Sequence, residues 1–111
     1  MIVNPFSEPN VDIWSDVSPN TSAVSGTYLH QTYRKGNLVS FYAVFGLNGS
    51  LADNTTLYTV SGIDCNSVTA PILANDGTFL GQAMLDENII KIILPTGASG
   101  TARFSLVGVI K

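Results

Sequence analysis

The chain has 111 residues, the length of a single domain; 45% of them are apolar and only 12% are charged. Disordered chains show the opposite balance, so disorder is excluded. A net charge of −3 argues against a nucleic-acid-binding surface, and one cysteine with one histidine leaves the common zinc sites and catalytic constellations incomplete. We therefore expect a folded binding domain that is not an enzyme and needs no cofactor or metal.

The first ten residues predict an N-terminal arm or linker. Pro5 and Pro9 oppose regular strand pairing and favour extended chain. The beginning of the chain lacks the basic and apolar regions of a signal peptide, and no apolar run approaches the ~18 residues of a membrane span. We expect an arm over 1–10, a single domain over 11–111, and no insertion into a membrane.

Apolar and polar residues alternate with a period of two through most of the chain, and no stretch has a helical period. The alternation predicts strands at about 11–17, 27–34, 38–47, 55–61, 67–74, 78–85, 88–94 and 102–110. Turn sequences separate them, among them a loop at 18–22, a hairpin turn at 34–37 and Asn48-Gly49. About eight short strands predict an all-β fold, either an antiparallel β-sandwich or a jelly-roll-like barrel.

The strands predicted at 38–47 and 102–110 carry apolar residues on both faces. One face of a sandwich sheet normally contacts water, and no helix is predicted that would cover the second face. We therefore predict a homo-oligomer that buries this second face around a symmetry axis. The predicted interface residues are Tyr42, Val44, Val107 and Val109. A small closed barrel that exposes some valine and isoleucine side chains is the alternative.

A candidate saccharide site centres on Trp14, which Asp12 and Asp16 flank on one face of the first predicted strand. Saccharide sites combine an aromatic platform with a few polar groups that hold hydroxyls. We predict Trp14 as the platform, the two carboxylates as acceptors, and His30 or Arg34 as donors. Alternatively, Trp14 is a packing anchor and His30 is an ordinary polar residue on a strand. Asp12 and Asp16 would lie about 13 Å apart on a strand, too far for a glycosidase pair.

Three segments carry a resemblance to a known family: YRKGNLV at 33–39, DGTFLGQAML at 76–85 and NIIKI at 88–92. With the final strand at 102–110, they resemble the C-terminal head domains of bacteriophage tail-fibre and baseplate receptor-binding proteins. The resemblance covers residues 28–110 and depends on turns, glycines and aliphatic alternation.

The resemblance implies a β-sandwich trimer in the phage tail that binds saccharide on the host cell surface. Such a protein belongs to the virion and has no need of a signal peptide. The alternative is a structural adaptor or decoration domain that binds another tail protein of the virion and no glycan. A fragment of a depolymerising enzyme is a third class, which the missing catalytic residues disfavour.

Overall fold

The computed structural model describes residues 16–111, which fold as an all-β domain. Its strands are β1 (Val17–Pro19), β2 (Val24–Lys35), β3 (Leu38–Leu47), β4 (Thr55–Val60), β5 (Cys65–Ala74), β6 (Phe79–Glu87), β7 (Ile89–Ile93) and β8 (Gly100–Val109). They form one antiparallel sheet in the order β1-β4-β7-β6-β5-β8-β3-β2, which curls into a nearly closed barrel. The predicted fold class is confirmed. Within residues 16–111 there is no helix long and apolar enough to cross a membrane.

The predicted strands agree with the observed ones, except at the start of the domain. β3 has the predicted bounds, and β2 and β4 to β8 begin and end within three residues of theirs. The loop predicted at 18–22 is partly wrong, because β1 continues to Pro19. A proline is tolerated there because β1 lies at an edge of the sheet. The predicted arm, 1–10, and residues 11–15 of the first predicted strand lie outside the described residues.

The core fills the inside of the barrel, and alternate residues of the long strands point into it. Val39, Phe41, Ala43, Phe45 and Leu47 of β3 are all buried, as the alternation predicts. An edge-to-face cluster lies at its centre: the ring of Phe45 is 5.9 Å from that of Tyr58 and 5.5 Å from that of Phe104. Such aromatic pairs stabilise a core by about 1 kcal/mol each beyond their buried area.

The barrel has two ends, which place the loops and turns. At one of them, the hairpin end, the Ile110 amide donates to the Asn37 carbonyl of the β2–β3 turn at 2.8 Å. The Lys111 amide donates there to the Asp64 carbonyl of loop 61–64 at 2.9 Å. The opposite end, the loop end, carries loops 48–54, 75–78 and 94–99. Sequence-distant polar loops therefore meet at both ends.

Candidate functional site

Three of the five residues of the predicted saccharide site lie in the described part of the chain. Trp14 and Asp12 lie outside it, so their placement is not described. Asp16 is exposed just before β1, where its backbone carbonyl accepts a hydrogen bond from the Ser61 amide at 2.9 Å. It therefore lies at the hairpin end of the barrel.

His30 and Arg34 are both exposed on β2, the edge strand next to β3. On β3, His30 is paired with Ala43 and Arg34 with Val39, and both partners are buried. His30 and Arg34 therefore lie on the inner face of the sheet, although β2 is an edge strand that leaves them exposed. Four residues along a strand separate them by about 13 Å. The Arg34 Nε donates to the Gly36 carbonyl at 3.2 Å, which holds the guanidinium against the hairpin turn. Arg34 therefore shares the hairpin end with Asp16, whereas His30 lies nearer the middle of the strand.

The four predicted interface residues all lie on the outer face of the sheet. Tyr42 and Val44 are half-buried, whereas Val107 and Val109 are 56% and 45% exposed. β2 and β3 add three more large apolar side chains to this face. We define the outer apolar patch as Leu29, Tyr33, Leu38, Val107 and Val109. Residues on three adjacent strands form it, and Leu38 lies directly opposite Val109 across the β3–β8 ladder.

A charged cleft of about 310 Å³ lies at the hairpin end and is lined by Gly62, Ile63, Asp64, Glu87 and Asn88. The Lys111 ammonium is 3.6 Å from the Asp64 carboxylate and 3.8 Å from that of Glu87. All three side chains are largely exposed, so these ion pairs contribute little stability. No group of three or more potential metal ligands occurs anywhere in residues 16–111.

A second cleft, the β5–β8 groove, lies on the outer face where the pairing of two strands stops. β5 and β8 pair only at Leu73–Arg103 and Ala74–Ala102, apart from an isolated bridge between Cys65 and Ile110. Pro71 lies two residues before Leu73 on β5. It has no backbone N–H with which to extend the β5–β8 ladder in that direction. The groove has a volume of about 200 Å³ and is lined by Tyr42, Pro71, Leu73, Arg103, Phe104 and Ser105.

A third cleft continues this surface towards the loop end. It has a volume of about 380 Å³ and is lined by Ala74, Asn75, Asp76, Ser99, Gly100 and Thr101. One oxygen of the Asp76 carboxylate accepts the Thr78 amide at 2.9 Å. Hydrogen bonds from Thr78 hold the pKa of Asp76 below its usual range. This polar cleft adjoins the groove because Ala74 follows Leu73 on β5 and Thr101 precedes Arg103 by two residues on β8.

Comparison of the chain with family models, with curated proteins and with solved structures gives no match.

Sequence reasoning missed the groove. The alternation of β8 places Arg103 and Ser105 on the outer face, but it does not show which strand lies beside them. Only the pairing of β3 with β8 brings Tyr42 opposite Ser105 and Val44 opposite Arg103. Pro71 within a predicted strand was the one available signal, since proline in a strand marks a place where the ladder is interrupted.

Proposed function

We propose that the protein is a receptor-binding head domain of a bacteriophage tail that assembles as a homotrimer and recognises saccharide on the bacterial surface. The resemblance of residues 28–110 to such heads supplies the setting. The observation that carries the proposal is the outer apolar patch, which a second copy of the chain would cover.

The patch has the character of a subunit contact. Isolated apolar side chains are common on protein surfaces, but a contiguous set marks an interface. The five members are between 42% and 56% exposed, and the charged Lys35 and Arg103 lie on the same face only at its borders. Strands of ten to twelve residues make this face about 30 Å long.

Trimeric assembly suits recognition of a repeated surface ligand. Each saccharide site of such a head binds weakly, and three sites on one particle raise the overall affinity by avidity. Under this proposal Trp14 is an aromatic platform, Asp12 and Asp16 accept hydroxyl groups, and His30 or Arg34 donates.

The test is binding of the purified protein to a glycan array and to a panel of bacterial cells. We expect the wild type to bind, and Trp14→Ala to reduce binding by about tenfold or more, the equivalent of about 1.4 kcal/mol. Tyr28→Ala is the matched control, because it removes an aromatic side chain that is 65% exposed and does not belong to the predicted site. Absence of saccharide and cell binding by the wild type would refute the proposal.

The same patch favours a second candidate, a structural adaptor that docks onto another tail protein of the virion. A different protein can cover an apolar sheet face as readily as a second copy of the chain, provided that the shapes match. In this case the glycan array gives no signal, and the protein co-purifies with a tail protein. Replacing Val107 with lysine would then abolish the co-purification.

A further inference from the structure

The outer face of the sheet divides into two regions of different chemistry. Towards the hairpin end, Leu38, Val107 and Val109 dominate, and the surface is apolar. Towards the loop end, the β5–β8 groove opens and continues into the polar cleft at Asn75 and Asp76. Tyr42, one of the predicted interface residues, lines this groove, so the groove is open to a ligand when the assembly contact is confined to the apolar region around Leu38, Val107 and Val109.

The groove combines apolar walls with one cation. Pro71 and Leu73 line the β5 side of the groove, and Phe104, whose ring packs in the core, closes its base and is only 2% exposed. The half-buried Tyr42 lies on the β3 side, and Ser105, directly opposite it on β8, is exposed and offers a hydroxyl. Aromatic and aliphatic walls beside a few polar groups are typical of small-ligand sites.

Arg103 is the polar group that sets the expected charge of the ligand. It is exposed at the groove and makes no ion pair or hydrogen bond within the described part of the chain. Lys91, by contrast, lies 3.4 Å from the Asp86 carboxylate, and Lys111 is paired at the hairpin end. A guanidinium presents a planar fork of donors that matches a carboxylate or a phosphate. An anionic group of a ligand is therefore the natural partner of Arg103.

The adjoining polar cleft supplies contacts for hydroxyl groups. Asn75, Ser99 and Thr101 provide amide and hydroxyl groups, and the exposed carboxylate of Asp76, which accepts the Thr78 amide, adds an acceptor. Because Asp76 is negatively charged, the anionic group of a ligand belongs at the Arg103 end, with neutral hydroxyls at the Asp76 end. This order of groups distinguishes an acidic saccharide from a small inorganic anion.

We propose that the β5–β8 groove and the polar cleft beside it bind an acidic saccharide, a sugar chain that carries a carboxylate or a phosphate. Arg103 pairs with the anionic group, the ring of Tyr42 packs against a sugar face, and the turn residues of the polar cleft hold hydroxyls. The inference rests on the proposed function and adds a second contact site, away from Asp16 and Arg34 at the hairpin end.

The experiment uses an array that carries oligogalacturonate and phosphorylated oligomannose, each beside its neutral counterpart. We expect the wild type to prefer an acidic member, and Arg103→Ala to reduce that binding at least tenfold. Tyr42→Ala is expected to reduce it as well, whereas Tyr42→Phe, which keeps the ring, retains it. Lys111→Ala is the control, because it removes a positive charge at the far end of the barrel. Thermal unfolding of each variant verifies that it folds.

The outcomes separate the groove from the proposed function. Binding that is lost in Trp14→Ala but kept in Arg103→Ala and Tyr42→Ala overturns the groove and leaves the proposed function intact. An equal loss in Arg103→Ala and Lys111→Ala overturns it too, because non-specific charge then explains the binding. No binding of the wild type to any saccharide refutes both.

Discussion

Thr32 is the only polar residue among residues 16–111 that is buried, and its Oγ1 has no hydrogen-bond partner. A buried hydroxyl without a partner costs about 1–3 kcal/mol, since it loses water and gains nothing in return. Thr32→Val keeps the shape of the side chain and removes the hydroxyl, so we expect the free energy of unfolding to rise by about 1 kcal/mol. Urea denaturation measures it, with Thr32→Ser as the control that keeps the hydroxyl. A loss of stability in Thr32→Val would mean that the hydroxyl has a partner.

Cys65 is buried and unpaired, and burial raises the pKa of its thiol, with a further contribution from Asp64 and an opposing one from Arg34. A raised pKa in the folded state favours the neutral thiol. The stability that comes from keeping the Cys65 thiol neutral is therefore fully present below the pKa of the unfolded state, about 8.5. It is lost as the pH rises through the pKa of the folded state. We expect native protein to react slowly with a thiol reagent at pH 8, and unfolded protein to react fast. The alkaline decline in stability should be smaller in Cys65→Ala. Rapid labelling of the native protein would contradict this expectation.

At the scale of the strands, a β-bulge in β6 depends on Gly81. Ile72 is paired with Gly81 and Leu73 with Phe79, so Leu80 is the extra residue. Gly81 has a φ of 144°, and an added Cβ would lie 3.0 Å from Ile92 Cδ1 and 3.3 Å from Pro95 Cα. Gly81→Ala therefore combines backbone strain with overpacking, and we expect it to lower the free energy of unfolding by about 2–3 kcal/mol.

Gly36→Ala is the matched control for the bulge. Gly36 also has a positive φ, 59°, but nothing lies within 4 Å of the position of its added Cβ. Its replacement introduces backbone strain alone, about 1 kcal/mol. Urea denaturation of both variants distinguishes the two contributions. Equal losses in the two variants would show that the packing around Gly81 relaxes without cost.

The strands also show how far the sequence predicts the structure. The bounds of β3 are predictable because alternation is strict and turn residues stand at both ends. The groove is not predictable, because it depends on β5 lying beside β8, strands that are distant in sequence. Local patterns specify which face of the sheet a residue such as Arg103 occupies. The residues beside it on the adjacent strands depend on the order of the strands in the sheet.

At the scale of the whole molecule, the apolar residues of this weakly charged chain have two locations, the core of the barrel and the outer apolar patch. The barrel buries the inward-facing side chains of β3, and most of the exposed large apolar side chains lie on β2, β3 and β8, with Phe79 and Leu94 elsewhere. The alternation on β3 and β8 was sufficient to predict an apolar second face. Leu29 and Tyr33 were not among the predicted interface residues, since only the pairing of β2 with β3 brings them onto that face. The outer patch supports the proposal that this chain is one subunit of a homo-oligomer.

Sedimentation equilibrium at micromolar concentration tests this claim most directly, on the wild type, on Val107→Lys and on Thr59→Lys. Val107→Lys places a charge within the patch, at its most exposed member, whereas Thr59→Lys places one on an exposed position of β4, away from it. We predict three times the mass of one chain for the wild type and Thr59→Lys, and a shift towards the mass of a single chain for Val107→Lys. A wild type that sediments as a single chain at every concentration would contradict the account.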